Sequence, residues 1–244
     1  MIKSEFDILS KDFNVYGVFL YGSQNYGLST EESDVDTKAI ILPSFHDLVL
    51  KQPVSKVIDF GWGECDVKDI REMMKSYKKQ NVNFIETLFT DCFYVNPRYQ
   101  TFHDELMSLR EDIAHLDEHR AIDCFNGLLM QSKKRLFQYT EKTAPEILRY
   151  GYHRKSLMNL CKCYSMLWRY IEGLPYKEVL DCHELINVRD AVIPLEDVKS
   201  FVESIDGQAR EMIKAAYKTV KPRNDDLSYW LDEWMIRLLC NCNL

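Results

Sequence analysis

Two apolar runs bracket one polar segment near the N-terminus, and no other stretch limits the fold so tightly. Val15 to Tyr21 reads VYGVFLY, a near-continuous apolar and aromatic run ended by Gly22, as expected of a strand buried on both faces. A second strand is expected from about Asp34 to Leu42, in DVDTKAIIL. The segment between them holds Gly22-Ser23, a second glycine at Gly27, and the spaced pair Asp34 and Asp36. Whatever chemistry it carries is therefore held at the ends of core strands.

The rest of the chain divides by periodicity. VIDFGWGECDV, Val57 to Val67, carries two glycines and reads as a bent strand or hairpin. Val67, Ile70, Met74 and Tyr77 then fall on one helical face; NVNFIETLF leads into a second short helix, and CFYVNP into a short strand stopped by Pro97. Beyond it, apolar residues recur only at helical spacing: Ala121, Phe125, Leu128, Leu129 and Leu136; then Leu157, Leu160, Cys161, Tyr164, Leu167, Trp168 and Ile171; then Leu227, Trp230, Leu231, Trp234, Met235 and Leu238. The expected class is α+β: a short mixed sheet with flanking helices over residues 1–100, and a helical part over 101–244.

Composition narrows the function classes. The 244 residues contain enough apolar side chains for a sizeable core. MIKSEFDIL lacks the apolar stretch of a secretory signal, and no apolar run is long enough to span a bilayer, so a cytoplasmic protein without a membrane partner is expected. Eight scattered cysteines without zinc-type spacing point to reduced thiols. A net charge of −7 argues against a protein that coats nucleic acid. Yet from Lys133 to Lys177 ten Lys and Arg stand against three Glu, a local excess that could meet an anion.

Gly22 lets the backbone turn sharply and approach a ligand, and Ser23 can cap a helix whose first amides bind phosphate. An ordinary strand–turn–helix junction would look the same. Asp34 and Asp36 add weight: in a strand, alternate residues face one way, which sets these carboxylates roughly 7 Å apart at the rim of a core. Two such charges are costly unless a cation neutralises them, and oxygen ligands of this kind suit Mg²⁺ or Mn²⁺. Two-metal phosphoryl transfer also needs a third carboxylate, for which GECDVKDI offers Glu64, Asp66 and Asp69. Asp66 is taken as that residue, against the reading in which Asp66 is a helix N-cap and Asp69 its acidic third position.

The order Gly22-Ser23, Tyr26-Gly27, Ser33-Asp34-Val35-Asp36 resembles the nucleotidyltransferase superfamily of DNA polymerase β, and within it the bacterial and phage branch with the pattern GSxxYG…SDxD. TKAIILPS follows the aspartates as in phage members, NVNFIETLF is similar to the Asn-Pro…Glu…Leu-Phe segment of that branch, and YGYHRKSL is similar to its Gly-Tyr-Asp-Pro-Lys motif. Val82 stands where the branch has proline after Asn81, and His153-Arg154 replace its Asp-Pro before Lys155. The resemblance implies transfer of a nucleoside monophosphate from a nucleoside triphosphate, ATP first among candidates, to an acceptor hydroxyl with release of pyrophosphate. Metals would sit on Asp34, Asp36 and the third carboxylate, with the triphosphate near Gly22, Ser23 and Lys155. The acceptor could be RNA, a protein or a small molecule, and a non-catalytic, antitoxin-like nucleotide-binding partner of the same fold is the alternative.

Lys155, Lys162 and Arg169 recur at heptad spacing opposite the apolar stripe of their helix. A solvated face explains the stripe, whereas Lys155, which falls in the motif, is assigned to nucleotide binding. Glu86, in an apolar helix, is expected to be the buried partner of a basic residue. The six histidines show no ligand or triad spacing.

Overall fold

The computed structural model describes residues 1–31 and 33–242. The chain is α+β, and it forms two compact units. The first contains Met1–Asn25, Ser29–Asp117 and Arg223–Leu244; the second contains Tyr26–Leu28 and Glu118–Pro222. This differs from the expected division at residue 100.

The first unit is built on a five-stranded mixed sheet. Its elements are α1 (Ile2–Leu9), β1 (Asn14–Leu20), β2 (Thr37–Leu42), α2 (Phe45–Val49), β3 (Ser55–Asp59), β4 (Glu64–Asp69), α3 (Ile70–Lys78), α4 (Val82–Ile85), β5 (Phe93–Val95), α5 (Gln100–Ser108) and α6 (Arg110–Ala114). The strand order is β3-β4-β2-β1-β5. β2 and β4 are parallel, and the other neighbours are antiparallel. The β1–β2 register shifts between Val15 and Gly17, and β1 is buried from Val15 to Phe19. Val15, Val18, Ala39, Ile41, Cys65 and Val67 form one core with Ile2, Phe6 and Leu9 of α1.

β2 begins at Thr37, not at Asp34 as expected, so both aspartates lie in the irregular segment leading into the strand. VIDFGWGECDV is the β3–β4 hairpin. The helical pattern starts one turn later than its apolar spacing suggests: Val67 is a strand residue and α3 opens at Ile70. Strand pairing of Cys65 and Val67 with Thr37 and Ala39 overrides the helical reading there.

In the remaining segments, the first unit is completed by a late helix, and the second unit by the five that precede it. These five are α7 (Glu118–Leu136), α8 (Ala144–Tyr150), α9 (Arg154–Ile171), α10 (Tyr176–Leu180) and α11 (Leu195–Ala216). The last helix, α12 (Asp225–Cys242), returns to the first unit. Trp234 explains that return: its ring is fully buried edge-on to Tyr16 and Phe102, and its Nε1 donates to the Phe102 carbonyl at 3.0 Å. Within the second unit, α7 and α9 bury Ala121, Phe125, Leu129, Leu157, Leu160 and Leu167 as the stripes predict. Met158, Cys163, Met166 and Tyr170 join that core, while Trp168 is exposed.

Candidate functional site

The acidic segment is fixed by its neighbours. Tyr21 N–H donates to the Asp36 carbonyl (3.2 Å), which extends the β1–β2 pairing by one residue, and Val35 N–H donates to the Trp62 carbonyl at the hairpin tip (3.2 Å). Contact with the tip is so close that a Cβ on Gly63 would lie 2.1 Å from the Val35 carbonyl oxygen. Glu5 of α1, fully buried, ties the same region from the other face: it accepts from Thr37 Oγ1 at 2.6 Å and Trp62 Nε1 at 2.8 Å. These bonds carry Asp34 to an exposed position and leave Asp36 half-buried.

Around them the carboxylates gather on Tyr21. Burial first, and then the charges of Asp36, Asp66, Glu86 and Glu64, push the Tyr21 hydroxyl well above its ordinary range. Two of these four are neutralised or held by the protein. Asp66 lies in β4, where Lys38 Nζ donates to its Oδ2 at 2.7 Å and Lys68 Nζ stands 3.0 Å from its Oδ1. The Lys68 contact is off axis, so Oδ1 remains a buried oxygen without a hydrogen bond. Glu86 is fully buried, and its Oε2 accepts from Gly22 N–H (3.0 Å) and Asn25 Nδ2 (3.3 Å). Among the described residues Asp36 Oδ1, by contrast, meets a long contact with the Glu64 N–H (3.5 Å), and Glu64 is exposed at the first residue of β4.

The helix-cap reading of this acidic run moves by three residues. Asp66 is a strand residue, and Asp69 is the N-cap of α3, accepting from Arg71 N–H at 2.9 Å and bound to the Arg71 guanidinium. Asp69 is fully buried, so of the three candidates Glu64 alone combines exposure with a place beside Asp36.

Gly22 and Ser23 form a three-residue 3-10 turn, Gly22–Gln24, rather than the start of an α-helix, so Ser23 does not cap one. Gly22 has a φ of +81° with open space where a Cβ would be; its conformation requires glycine although no neighbour crowds it. Its N–H points at Glu86, which removes one amide from the expected phosphate cradle.

No family model and no curated protein matches the sequence. Asn81 caps α4 through its side chain and Val82 is the first helical residue, whereas His153 stands at the N-cap of α9 without a side-chain cap bond and Arg154 is its first helical residue. Proline is favoured at a first helical position for its backbone angle alone, and other residues fit there.

In the second unit, Tyr26-Gly27 packs against the helices. Lys162 Nζ lies 4.1 Å from the Tyr26 ring centroid, Cys182 N–H donates to the Tyr26 carbonyl (3.0 Å), and a Cβ on Gly27 would meet His183 Cβ at 2.9 Å. Arg169 is bound by Glu184 (2.5 Å) and by backbone carbonyls at Glu178 and Asp181. Lys155 stays exposed near the start of α9. Part of the basic stretch is thus engaged in local ion pairs: Arg154 with Glu146, Lys133 with Asp206, Arg169 with Glu184.

Among the described residues, three metal-competent side chains come within 4.8 Å of one another only at Asp181, His183 and Glu184, all exposed. Their charges are already met: His183 Nδ1 is 2.8 Å from Asp181, which raises the imidazole pKa, and Arg169 holds Glu184. Asp34, Asp36 and Glu64 do not close into so tight a group. Among the described residues no helix is long and apolar enough to cross a membrane.

Proposed function

We propose that the chain is a metal-dependent nucleotidyltransferase that moves a nucleoside monophosphate from a nucleoside triphosphate, ATP being the first to test, to an acceptor hydroxyl. The observation that carries this reading is geometric: Asp36 Oδ1 meets the Glu64 N–H at 3.5 Å at the exposed start of β4, with Asp34 exposed nearby in the chain and the left-handed Gly22 opening the turn after β1. Asp66 and Glu86 have protein partners, so of the four carboxylates around Tyr21 the charge left over belongs to Asp36 and Glu64, with Asp34 exposed two residues before Asp36. An open set of hard oxygen donors fits Mg²⁺ or Mn²⁺, since Mg²⁺ binds through one or two carboxylates and completes its shell with water and substrate phosphates.

Asp34 and Asp36 would hold the cation, which when bound supplies positive charge to the phosphate oxygens. Glu64 is the residue best placed to accept the proton of the acceptor hydroxyl as its oxygen bonds to the α-phosphorus and the bond to pyrophosphate breaks. Ser23 would contact the triphosphate. The chain's contribution is positioning and charge, as expected where phosphoryl transfer needs little covalent help from the protein.

The test is pyrophosphate release from labelled nucleoside triphosphates with Mg²⁺ or Mn²⁺, offered RNA, protein and small-molecule acceptors in parallel. Activity in wild type and none in Asp34→Ala/Asp36→Ala is expected; equal signal in both sinks the proposal. A second reading, a non-catalytic, antitoxin-like nucleotide-binding partner, draws on the engagement of Asp66 by two lysines. MgATP binding without pyrophosphate release from any acceptor would favour it.

A further inference from the structure

Glu86 stands apart from the open carboxylates of the first unit. It is fully buried, and the charge it carries is turned to the segment that leaves β1. Its Oε2 accepts both the Gly22 N–H at 3.0 Å and Asn25 Nδ2 at 3.3 Å. Asn25 Nδ2 also donates to the Leu20 carbonyl at 3.0 Å, and Asn25 N–H to the Gly22 carbonyl at 3.0 Å. These four bonds close a loop from the last residue of β1 to Asn25, with Ser23 inside it.

Gly22 sits at φ +81° with nothing within 4 Å of the position a Cβ would take, a left-handed backbone that favours glycine. Hydrogen bonds to an ionised acceptor are shorter and about twice as strong as neutral ones. A buried carboxylate next to a phosphate site would be unfavourable if its charge faced the ligand, and here the oxygen is spent on two donors of the turn.

We infer that Glu86 is a positioning residue: it locks the Gly22–Asn25 turn so that Ser23 is presented to the phosphates of a nucleotide held at Asp34 and Asp36, an inference that rests on the nucleotidyltransferase reading. The Gly22 amide is then a strut of the loop and no phosphate ligand.

Three variants of the full chain test this: Glu86→Gln, whose amide oxygen can accept both bonds, Glu86→Leu, which can accept neither, and Asn25→Ala. Two measurements are made: MgATP affinity by calorimetry, well below the melting temperature, and hydrogen exchange of the Gly22 amide. Glu86→Leu is expected to bind MgATP at least about tenfold more weakly with loss of Gly22 protection, Glu86→Gln to stay within about threefold, and Asn25→Ala to fall between. A merely structural Glu86 would lower the melting temperature of the Leu variant and leave the affinity of the folded protein unchanged, which overturns the inference. So does a Gln variant as weak as the Leu variant, since the effect would then belong to charge. Should Glu86→Leu fail to fold, wild-type affinity and Gly22 exchange in Asn25→Ala overturn it. A wild-type chain that binds no MgATP overturns the nucleotidyltransferase reading together with this inference, whereas binding by wild type and by Glu86→Leu alike overturns the role of Glu86 alone.

Discussion

Lys38 Nζ stands 2.7 Å from Asp66 Oδ2 across the parallel β2–β4 pair, where the two residues are direct partners in register. The ammonium is almost fully buried and lies 4.5 Å from the Tyr21 ring centroid and 4.4 Å from that of Phe84. An aromatic cage and one carboxylate thus satisfy a charge that could not otherwise be placed there. Asp66 is committed to this pair, whereas Glu64 stands exposed at the first residue of the same strand.

Asp66→Asn is therefore expected to act first on stability. Removing one partner of a buried pair leaves Lys38 without a counter-charge and should cost about 3–5 kcal/mol, read from the urea midpoint. Glu64→Gln, at an exposed position, should change stability by less than about 0.5 kcal/mol while abolishing pyrophosphate release. The reverse pattern would return the third role to Asp66.

Gly63→Ala tests the link between the hairpin and the acidic segment. The added methyl group would lie 2.1 Å from the Val35 carbonyl, a backbone atom that cannot swing aside. Overpacking of this kind costs about 1–3 kcal/mol or more. Because Val35 lies between Asp34 and Asp36, metal-dependent nucleotide binding should fall with it; calorimetric titration showing wild-type affinity would mean the segment shifts freely.

His103 predicts an acid limb in stability. It is buried with its Nδ1 3.3 Å from the Tyr16 hydroxyl and its Nε2 without a hydrogen bond. Burial holds its pKa below the ordinary value near 6.5, against a smaller opposing effect of Asp104. The unfolded chain then takes up a proton the folded chain refuses, so stability should fall as pH drops below about 6.5, by at most about 1.4 kcal/mol per pH unit for this group. His153, depressed mainly by partial burial, acts in the same direction. His103→Leu should give a shallower slope in denaturant melts between pH 7 and 5, on the order of one proton less. An unchanged slope would remove His103 from the account.

The basic stripe separates by partner. Lys155→Ala should weaken MgATP binding by about 1–3 kcal/mol, the cost of a lost charged hydrogen bond. Lys162→Ala and Arg169→Ala should instead lower the stability of the second unit, since their side chains serve Tyr26, Glu184 and backbone carbonyls. Equal losses of RNA affinity in all three, each reducing the salt slope by about 0.7–0.9, would point to an RNA acceptor lying along the helix.

The strands around the acidic segment, the hairpin and the long helices were legible in the sequence, because apolar periodicity records which faces are buried, and buried area is what drives each element to form. Val15, Val18, Ala39 and Ile41 are core residues for that reason. The turn at Gly22 and the short strand before Pro97 could also be read from residue type and spacing, whereas Asp34 and Asp36 lie just outside the strand expected to hold them. Other features depend on partners far away in the chain. That Asp66 is paired with Lys38, that Glu5 pins Thr37 and Trp62, that Glu86 holds Gly22, and that α12 packs with the sheet unit all follow from strand register and three-dimensional packing. A local pattern specifies which residues prefer to be buried or charged; only the tertiary structure decides which charges meet, because the energy of a carboxylate is set by the donors and cations within a few ångströms of it, whatever their distance in sequence.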